Sequence, residues 1–312
     1  MNLKKSFLSK SIVVWLLAAV CCFLWGSAFP AIKIGYHLFK IDTNDIASIL
    51  LFAGLRFALA GVLTIIIFSI INKKPLFPYK NAFPKIGVLS LFQTIIQYVF
   101  FYLGLAYTTG DRASVIQGTN VFMALMISSL IFKLEKLSAN KILGSIIGFA
   151  GVLIVSLDVF TQNAENSFKG EIFVLLSTVS YAFSSVFMKR YSAEYNPAML
   201  SGWQFVLGGA VMILCGLISG GHISVLNVKS VLLLIYLAML SAVAYSLWSI
   251  LLKYNPVSKV TVCGFLTPVF GFILSSLFAG EGDSMSILGV IALLLVVIGM
   301  VLVNKQNNKI LH

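Results

Sequence analysis

The chain has 312 residues, 59% of them hydrophobic and only 10% charged. That balance excludes a soluble globular domain, in which about a quarter of residues carry charge. The formal net charge of +12 does not point to nucleic acid, because the basic residues sit in short loops between apolar runs rather than on one face. Membrane orientation accounts for the excess.

Ten apolar runs have the length that a helix needs to cross a hydrocarbon core of about 30 Å. They cover residues 12–36, 46–71, 86–107, 112–132, 140–158, 170–189, 197–218, 229–252, 258–279 and 285–303. Lys4, Lys5 and Lys10 precede the first run in the manner of a signal peptide. No small-x-small cleavage site follows, and more spans do, so it is predicted as helix 1. Cys21, Cys22, Cys215 and Cys263 all lie inside apolar runs and offer neither a disulfide framework nor a metal spacing.

Span 1 carries FLWGSAFPAIK, with Trp25 and Phe29 on one face and Pro30 above Gly26. A proline ring removes its own N–H bond and crowds the carbonyl four residues back, so a small residue there suits a bend. Span 9 repeats the arrangement with Gly264 and Pro268. The competing reading is a proline merely tolerated in a membrane helix. Lys33, near the end of span 1, is placed to snorkel to the interface. Arg56 lies about ten residues into span 2, where a charge costs at least ~2.5 kcal/mol on insertion scales. It is expected to face protein or a wet cavity, with helix packing through backbone carbonyls preferred to direct ligand binding.

Span 3 offers Gln93, Gln97 and Phe101, and span 4 offers Gln117 and Asn120. The Gly144/Gly148 pair of span 5 reads as packing. In span 6, Tyr181, Ser184, Ser185 and Met188 share a helical face. Ser241, Tyr245 and Trp248 do so in span 8, and Cys263 with Thr267 in span 9. Taken singly, such polar residues are interhelical glue. Polar and aromatic faces on spans 1, 3, 4, 6, 8 and 9 together predict a cavity with aromatic walls and neutral polar groups.

All ten Asp and Glu residues, from Asp42 to Asp283, lie in loops or near helix ends, as do His37, His222 and His312. A proton relay, a membrane hydrolase or a metal site would place such groups within the membrane. No G-x-x-x-x-G-K-[ST] run is present to bind ATP. An enzyme is therefore not expected, and no cofactor is expected. With the N-terminus inside, sixteen of the twenty-two Lys and Arg residues fall on the cytoplasmic side and five outside. Both termini are predicted to be cytoplasmic, in a plasma-membrane protein.

GLRFALAGV (54–62) aligns with GWQFVLGGA (202–210), SSLIFKLEKLS (128–138) with SSLFAGEGDS (275–284), and ILG (142–144) with ILG (287–289). LWGSAFPAIK (24–33) aligns more loosely with SYAFSSVFMK (180–189), and Glu135 pairs with Glu281. Two repeats, 1–158 and 159–312, of five spans each must insert upside down relative to one another, the plan of many secondary transporters. WGSAFPAIK, Arg56–Phe57 and the TPVF (267–270) with Glu281 pattern resemble the EamA-type members of the drug/metabolite transporter superfamily. The resemblance covers essentially the whole chain. It implies an all-α fold of ten transmembrane helices in two inverted five-helix repeats, a central cavity and alternating access, often for amino-acid export. NVF (120–122) stands where the family has a proline opposite TPV (267–269), which puts a symmetric proline hinge in question.

The expectation is a secondary transporter that exports or exchanges a small metabolite, a hydrophobic or aromatic amino acid being favoured by the uncharged lining. An importer or antiporter of phosphorylated sugars would want several cavity cations. A non-transporting sensor or assembly subunit would want a soluble readout segment. A small-molecule substrate and the lipid bilayer are the partners expected, with nucleic acid excluded and a monomer sufficient.

Overall fold

The computed structural model describes the backbone of residues 7–107, 113, 116–155, 167–224, 226–279 and 287–305. Among these residues there is no strand, and the chain is an all-α membrane protein. Helices α1 (Ser11–Phe39), α2 (Ile46–Asn72), α6 (Ser167–Tyr191), α7 (Pro197–Ile218) and α8 (Val228–Tyr254) are unbroken. Helix α3 runs through Phe83–Leu89, a π-helical stretch Ser90–Ile96 and Gln97–Tyr107; α4 runs through Asn120–Met126 and a second π stretch, Ile127–Ile131. Helix α5 is Ala139–Val155. Helix α9 starts as Val257–Thr261, tightens to a 3-10 turn over Val262–Phe265 and continues as Leu266–Ala279; α10 is Ile287–Asn304. Six of the ten are long and apolar enough to span a bilayer, and four are shorter apolar helices.

Helices form because lipid leaves the backbone no other partner, and their ends are fixed by local chemistry. Asp45 caps α2 by accepting from the Ser48 N–H at 3.1 Å. Asn196 caps α7 with Pro197 in the first turn, and Asn227 with Ser230 forms a capping box on α8. Outward faces are studded with Leu16, Ile66, Ile70, Leu214, Ile218, Leu232 and Leu294. In lipid that is the expected surface.

Helix α2 lies along α7, and α5 along α10. Beyond these, α1 packs on α8 and α9, while α6 packs on α3 and α4. Each of these pairings is related to another, or to itself, by a shift of five helices. The α2–α7 crossing is close because glycines meet backbone: a Cβ on Gly61 would lie 2.6 Å from the Gly202 carbonyl oxygen, and one on Gly54 would lie 2.9 Å from that of Gly209. Gly54 aligns with Gly202 in sequence and Gly61 with Gly209, so the aligned segments cross antiparallel, with Phe57 stacked on Phe205 at 5.2 Å. Gly144 and Gly148 meet Gly299 in the same way at the α5–α10 crossing. These small residues serve packing, as expected of them.

Candidate functional site

A cavity of about 340 Å³ lies among α1, α2, α3, α4, α6, α8 and α9. It runs from Trp25, Trp248, Gly264 and Thr267 at its deep end to Lys33, Tyr36 and Thr43, beside the α1–α2 loop. Its volume is within the range of about 300–1,000 Å³ typical of small-molecule sites. Helical phase brings Trp25 from α1 against Tyr245 and Trp248 from α8, with ring centroids 5.1 and 4.9 Å apart, and against Tyr181 from α6 at 6.4 Å. Tyr245 in turn shares a hydroxyl–hydroxyl bond of 2.8 Å with Tyr98 and packs edge-on to Phe205.

Of the residues expected at the site, Trp25, Gln97, Phe101, Gln117, Asn120, Tyr181, Tyr245, Trp248 and Thr267 line the cavity, and so do Gly264 and Pro268. Gln93, Ser184 and Ser185 do not. Both serines bond their own helix instead, donating to the Tyr181 carbonyl at 2.7 and 3.1 Å. Gln93 falls in the π-helical stretch of α3, whose wider turn breaks the four-residue phase that would align it with Gln97. Gly26 and Pro30 also lie outside the lining. Gly26 serves a helix contact, since a Cβ there would meet the Gly271 nitrogen at 2.9 Å, whereas Gly264 has open space, with only Val121 within 4 Å. The two glycines are thus not equivalent. The Phe29 side chain lies outside the described residues, as do Asp111, Asp158, Glu165, Glu281 and Asp283.

Sequence periodicity missed Tyr98 and Tyr102 of α3 and Ser177 and Thr178 of α6, all of which line the wall. Tyr98 neighbours Gln97, and Ser177 and Thr178 stand one turn before Tyr181, so the signal was present but embedded in apolar neighbours.

Arg56 is 2% exposed, yet it lines the cavity. Its Nε and Nη2 both donate to the Ser241 hydroxyl oxygen, at 3.3 and 3.0 Å, and its guanidinium lies 4.9 Å from the Phe57 ring. Packing through a side-chain hydroxyl replaces the carbonyl bonds expected for it. Lys33 stands exposed at the mouth. No carboxylate lines the cavity among the described residues.

Buried polar atoms are normally bonded. The Trp25 and Trp248 indole nitrogens, the Gln97 and Asn120 amide oxygens, and the Tyr102 and Tyr181 hydroxyls are buried without a hydrogen-bond partner of normal geometry among the described residues. All six side chains line this one cavity.

At the opposite end, hydrogen bonds among the described residues tie the helix ends together. Glu135, in the loop after α4, accepts from the Ser258 N–H at 2.9 Å, from the Ser258 hydroxyl, from Ser128 at 2.8 Å and from Lys141 at 2.6 Å. Lys259 donates to the Ser9 carbonyl at 2.8 Å, Asn255 to that of Leu8 at 2.9 Å, and Lys189 to that of Lys253 at 3.1 Å. Burial pushes the Glu135 carboxyl up, but its bonds from Lys141 and Ser258, with the Lys141 charge, outweigh that and hold it below its ordinary value of 4.5.

The model of the EamA-like transporter family matches residues 12–157 and 168–305. A WAT1-related chloroplast protein of Arabidopsis thaliana is 26% identical over 86% of this chain, which spans 64% of that protein's length. An uncharacterized transporter of Archaeoglobus fulgidus is 30% identical over 83% of this chain and 87% of its own length. The Bacillus subtilis uncharacterized transporter YvbV is 26% identical over 94% of this chain and 92% of its own. A solved crystal structure superposes with a TM-score of 0.75 at 17% identity, covering 93% of this chain and 96% of that one, and speaks for the fold. With a family match over nearly the full length and a helical fold to carry it, the chain belongs to the EamA-like transporters of the drug/metabolite transporter superfamily.

Proposed function

We propose that this membrane transporter is a secondary carrier that exports or exchanges a hydrophobic or aromatic amino acid across the plasma membrane by alternating access, with both termini in the cytoplasm. The observation that carries the reading is the cavity: six buried, unpartnered polar groups set in a wall of Trp25, Tyr181, Tyr245 and Trp248. Unmade hydrogen bonds in a dry site cost about 1–3 kcal/mol each, and a solute carrying both donors and acceptors recovers that energy when it binds. The aromatic faces favour a ring or a branched chain.

The reading divides the chain into two inverted five-helix halves, 1–158 and 159–312. The five-helix shift in helix pairing and the antiparallel meeting of the aligned glycines support it. In such a carrier the cavity faces the α1–α2 loop while the Glu135 seam is closed. A solute seated against Trp25 and Trp248 would leave on the other side once the seam parts and the mouth closes. Gln97, Gln117, Asn120, Tyr181, Tyr245 and Thr267 would orient it.

The test is transport by purified protein in liposomes, with labelled phenylalanine and leucine, for the parent, Trp248→Ala and Gln97→Ala. Each substitution is expected to lower uptake at least tenfold with the thermal midpoint nearly unchanged for Gln97→Ala. Parent-like transport by both variants would remove the cavity from the transport path.

A further inference from the structure

Among the described residues Arg56 is the one buried charge on the cavity wall, and its counterpart in the other half shows what packing alone requires. Gln204 aligns with Arg56 in the repeat and is fully buried at the same crossing. It accepts a 2.7 Å bond from the Thr94 hydroxyl of α3, just as Arg56 engages the Ser241 hydroxyl of α8. Thus a neutral amide suffices for the link between helices. Gln204 does not line the cavity, whereas Arg56 does. A permanent charge at position 56 is therefore surplus to packing and is spent on the cavity.

Its orientation is specified. The Ser241 hydroxyl donates to the Leu237 carbonyl at 2.9 Å, so its lone pairs are left to accept from Arg56. Ser241 occupies the Nε–Nη2 side of the guanidinium. The end-on edge, Nη1–H with the second Nη2–H, makes no hydrogen bond of normal geometry among the described residues, and, with the Tyr102 hydroxyl of the cavity wall beside the guanidinium, is the fork that fits a carboxylate bidentately. Among the described residues no Asp or Glu lies within ion-pair distance of Arg56. A buried cation without a counter-ion is costly, and a bound anion relieves that cost.

We propose that Arg56 is the carboxylate-recognising, specificity-determining residue of the cavity, and that Ser241 positions it. The inference rests on the cavity being the solute site. The solute class is then set by a single carboxylate. A free amine is accepted beside it, through the Gln97 and Asn120 amide oxygens, but is not required. One available guanidinium edge suits a monoanion or zwitterion and leaves a phosphate dianion under-neutralised. Amines and amides of the same skeleton are refused.

The experiment titrates purified full-length protein by tryptophan fluorescence and thermal shift with two skeletons. The aromatic series is phenylalanine, 3-phenylpropanoate, phenethylamine and phenylalaninamide. The aliphatic series is leucine, 4-methylpentanoate, 3-methylbutylamine and leucinamide. Amino acid and deaminated acid are both expected to bind, the amino acid more tightly through the Gln97 and Asn120 oxygens, and amine and amide to bind at least about a hundredfold more weakly than the amino acid, the loss of two charge-assisted bonds. Arg56→Gln is expected to level each series, and Ser241→Ala to narrow the gap while leaving the charge in place. If Arg56→Gln does not fold, the parent series and Ser241→Ala decide the matter. An aliphatic series that shows the carboxylate requirement while no aromatic solute binds supports Arg56 and removes the aromatic substrate. An amine or amide that binds as tightly as its acid, or a panel in which no carboxylate binds, overturns the proposal.

Discussion

Replacing Glu135 with Gln tests whether the seam opposite the cavity mouth controls access. The carboxylate collects four bonds, from the Ser258 N–H and hydroxyl, the Ser128 hydroxyl and the Lys141 ammonium. Its side chain is 7% exposed and that of Lys141 16%. A glutamine keeps one acceptor oxygen, so the Ser258 N–H bond can persist as a neutral one. Its amide nitrogen would face Lys141 and the hydroxyls as a donor. Bonds to a charged group are worth about 1.5–3 kcal/mol and neutral ones about 0.5–1.5. Losing a buried pair outright costs about 3–5 kcal/mol. Lys141 already bonds the exposed Lys136 carbonyl at 2.9 Å and can turn toward water, so the upper figure is discounted. The net loss is about 2–4 kcal/mol, and at about 1.4 kcal/mol per tenfold the opening equilibrium moves roughly 30- to 1,000-fold. Amide hydrogen exchange at Ser258–Thr261, the first turn of α9, reads that opening directly. Exchange within threefold of the parent would refute the assignment of Glu135 as the clasp. The pH dependence has a fixed sign. The folded-state pKa lies below 4.5, so the contribution is complete above that value and is lost as pH falls through the depressed one. Exchange in the parent, corrected for intrinsic rates, should be flat from neutral pH down to 4.5 and should rise only below that value. Glu135→Gln should show no such rise.

Gly61→Ala places a methyl group 2.6 Å from the Gly202 carbonyl oxygen and the Val206 nitrogen. Overpacking of this kind costs about 1–3 kcal/mol, so a lowered thermal midpoint in detergent is expected, and an unchanged one would mean that α2 and α7 separate freely. Single cysteines at Ser167 and Asn308 should react with an impermeant reagent from outside and inside respectively; the reverse pattern would invert the topology. With no carboxylate in the cavity wall among the described residues, the carrier is expected to act as a facilitator or exchanger. Accumulation of solute in liposomes driven by a pH gradient alone would contradict that.

Much of this protein was legible without a structure. Apolar length fixes a membrane helix because lipid forces every backbone group to bond within its own segment. Hence the spans expected at 46–71 and 197–218 appear as Ile46–Asn72 and Pro197–Ile218. The ends of α1 and α8 likewise fall within about three residues of expectation, at Phe39 and Tyr254. Helical period also placed Trp25, Tyr181, Tyr245 and Trp248 on faces that meet, because aromatic and polar residues cluster where a helix turns from lipid.

Tertiary structure decided the rest. A side chain's final direction depends on local winding, and the π stretch at Ser90–Ile96 separates Gln93 from Gln97 where an ideal helix would align them. Ser184 and Ser185 had a partner in their own backbone, an option that sequence spacing does not reveal. The six unpartnered polar groups became visible only once every possible partner was in place. Glu135 read as a loop acid near lysines, while its bonds to Ser258 cross 123 residues of chain. Arg56 and Gln204 look alike as polar members of a repeat. Which of them faces the cavity depends on how two inverted helices rotate against α3 and α8, and no periodicity within one segment encodes that rotation.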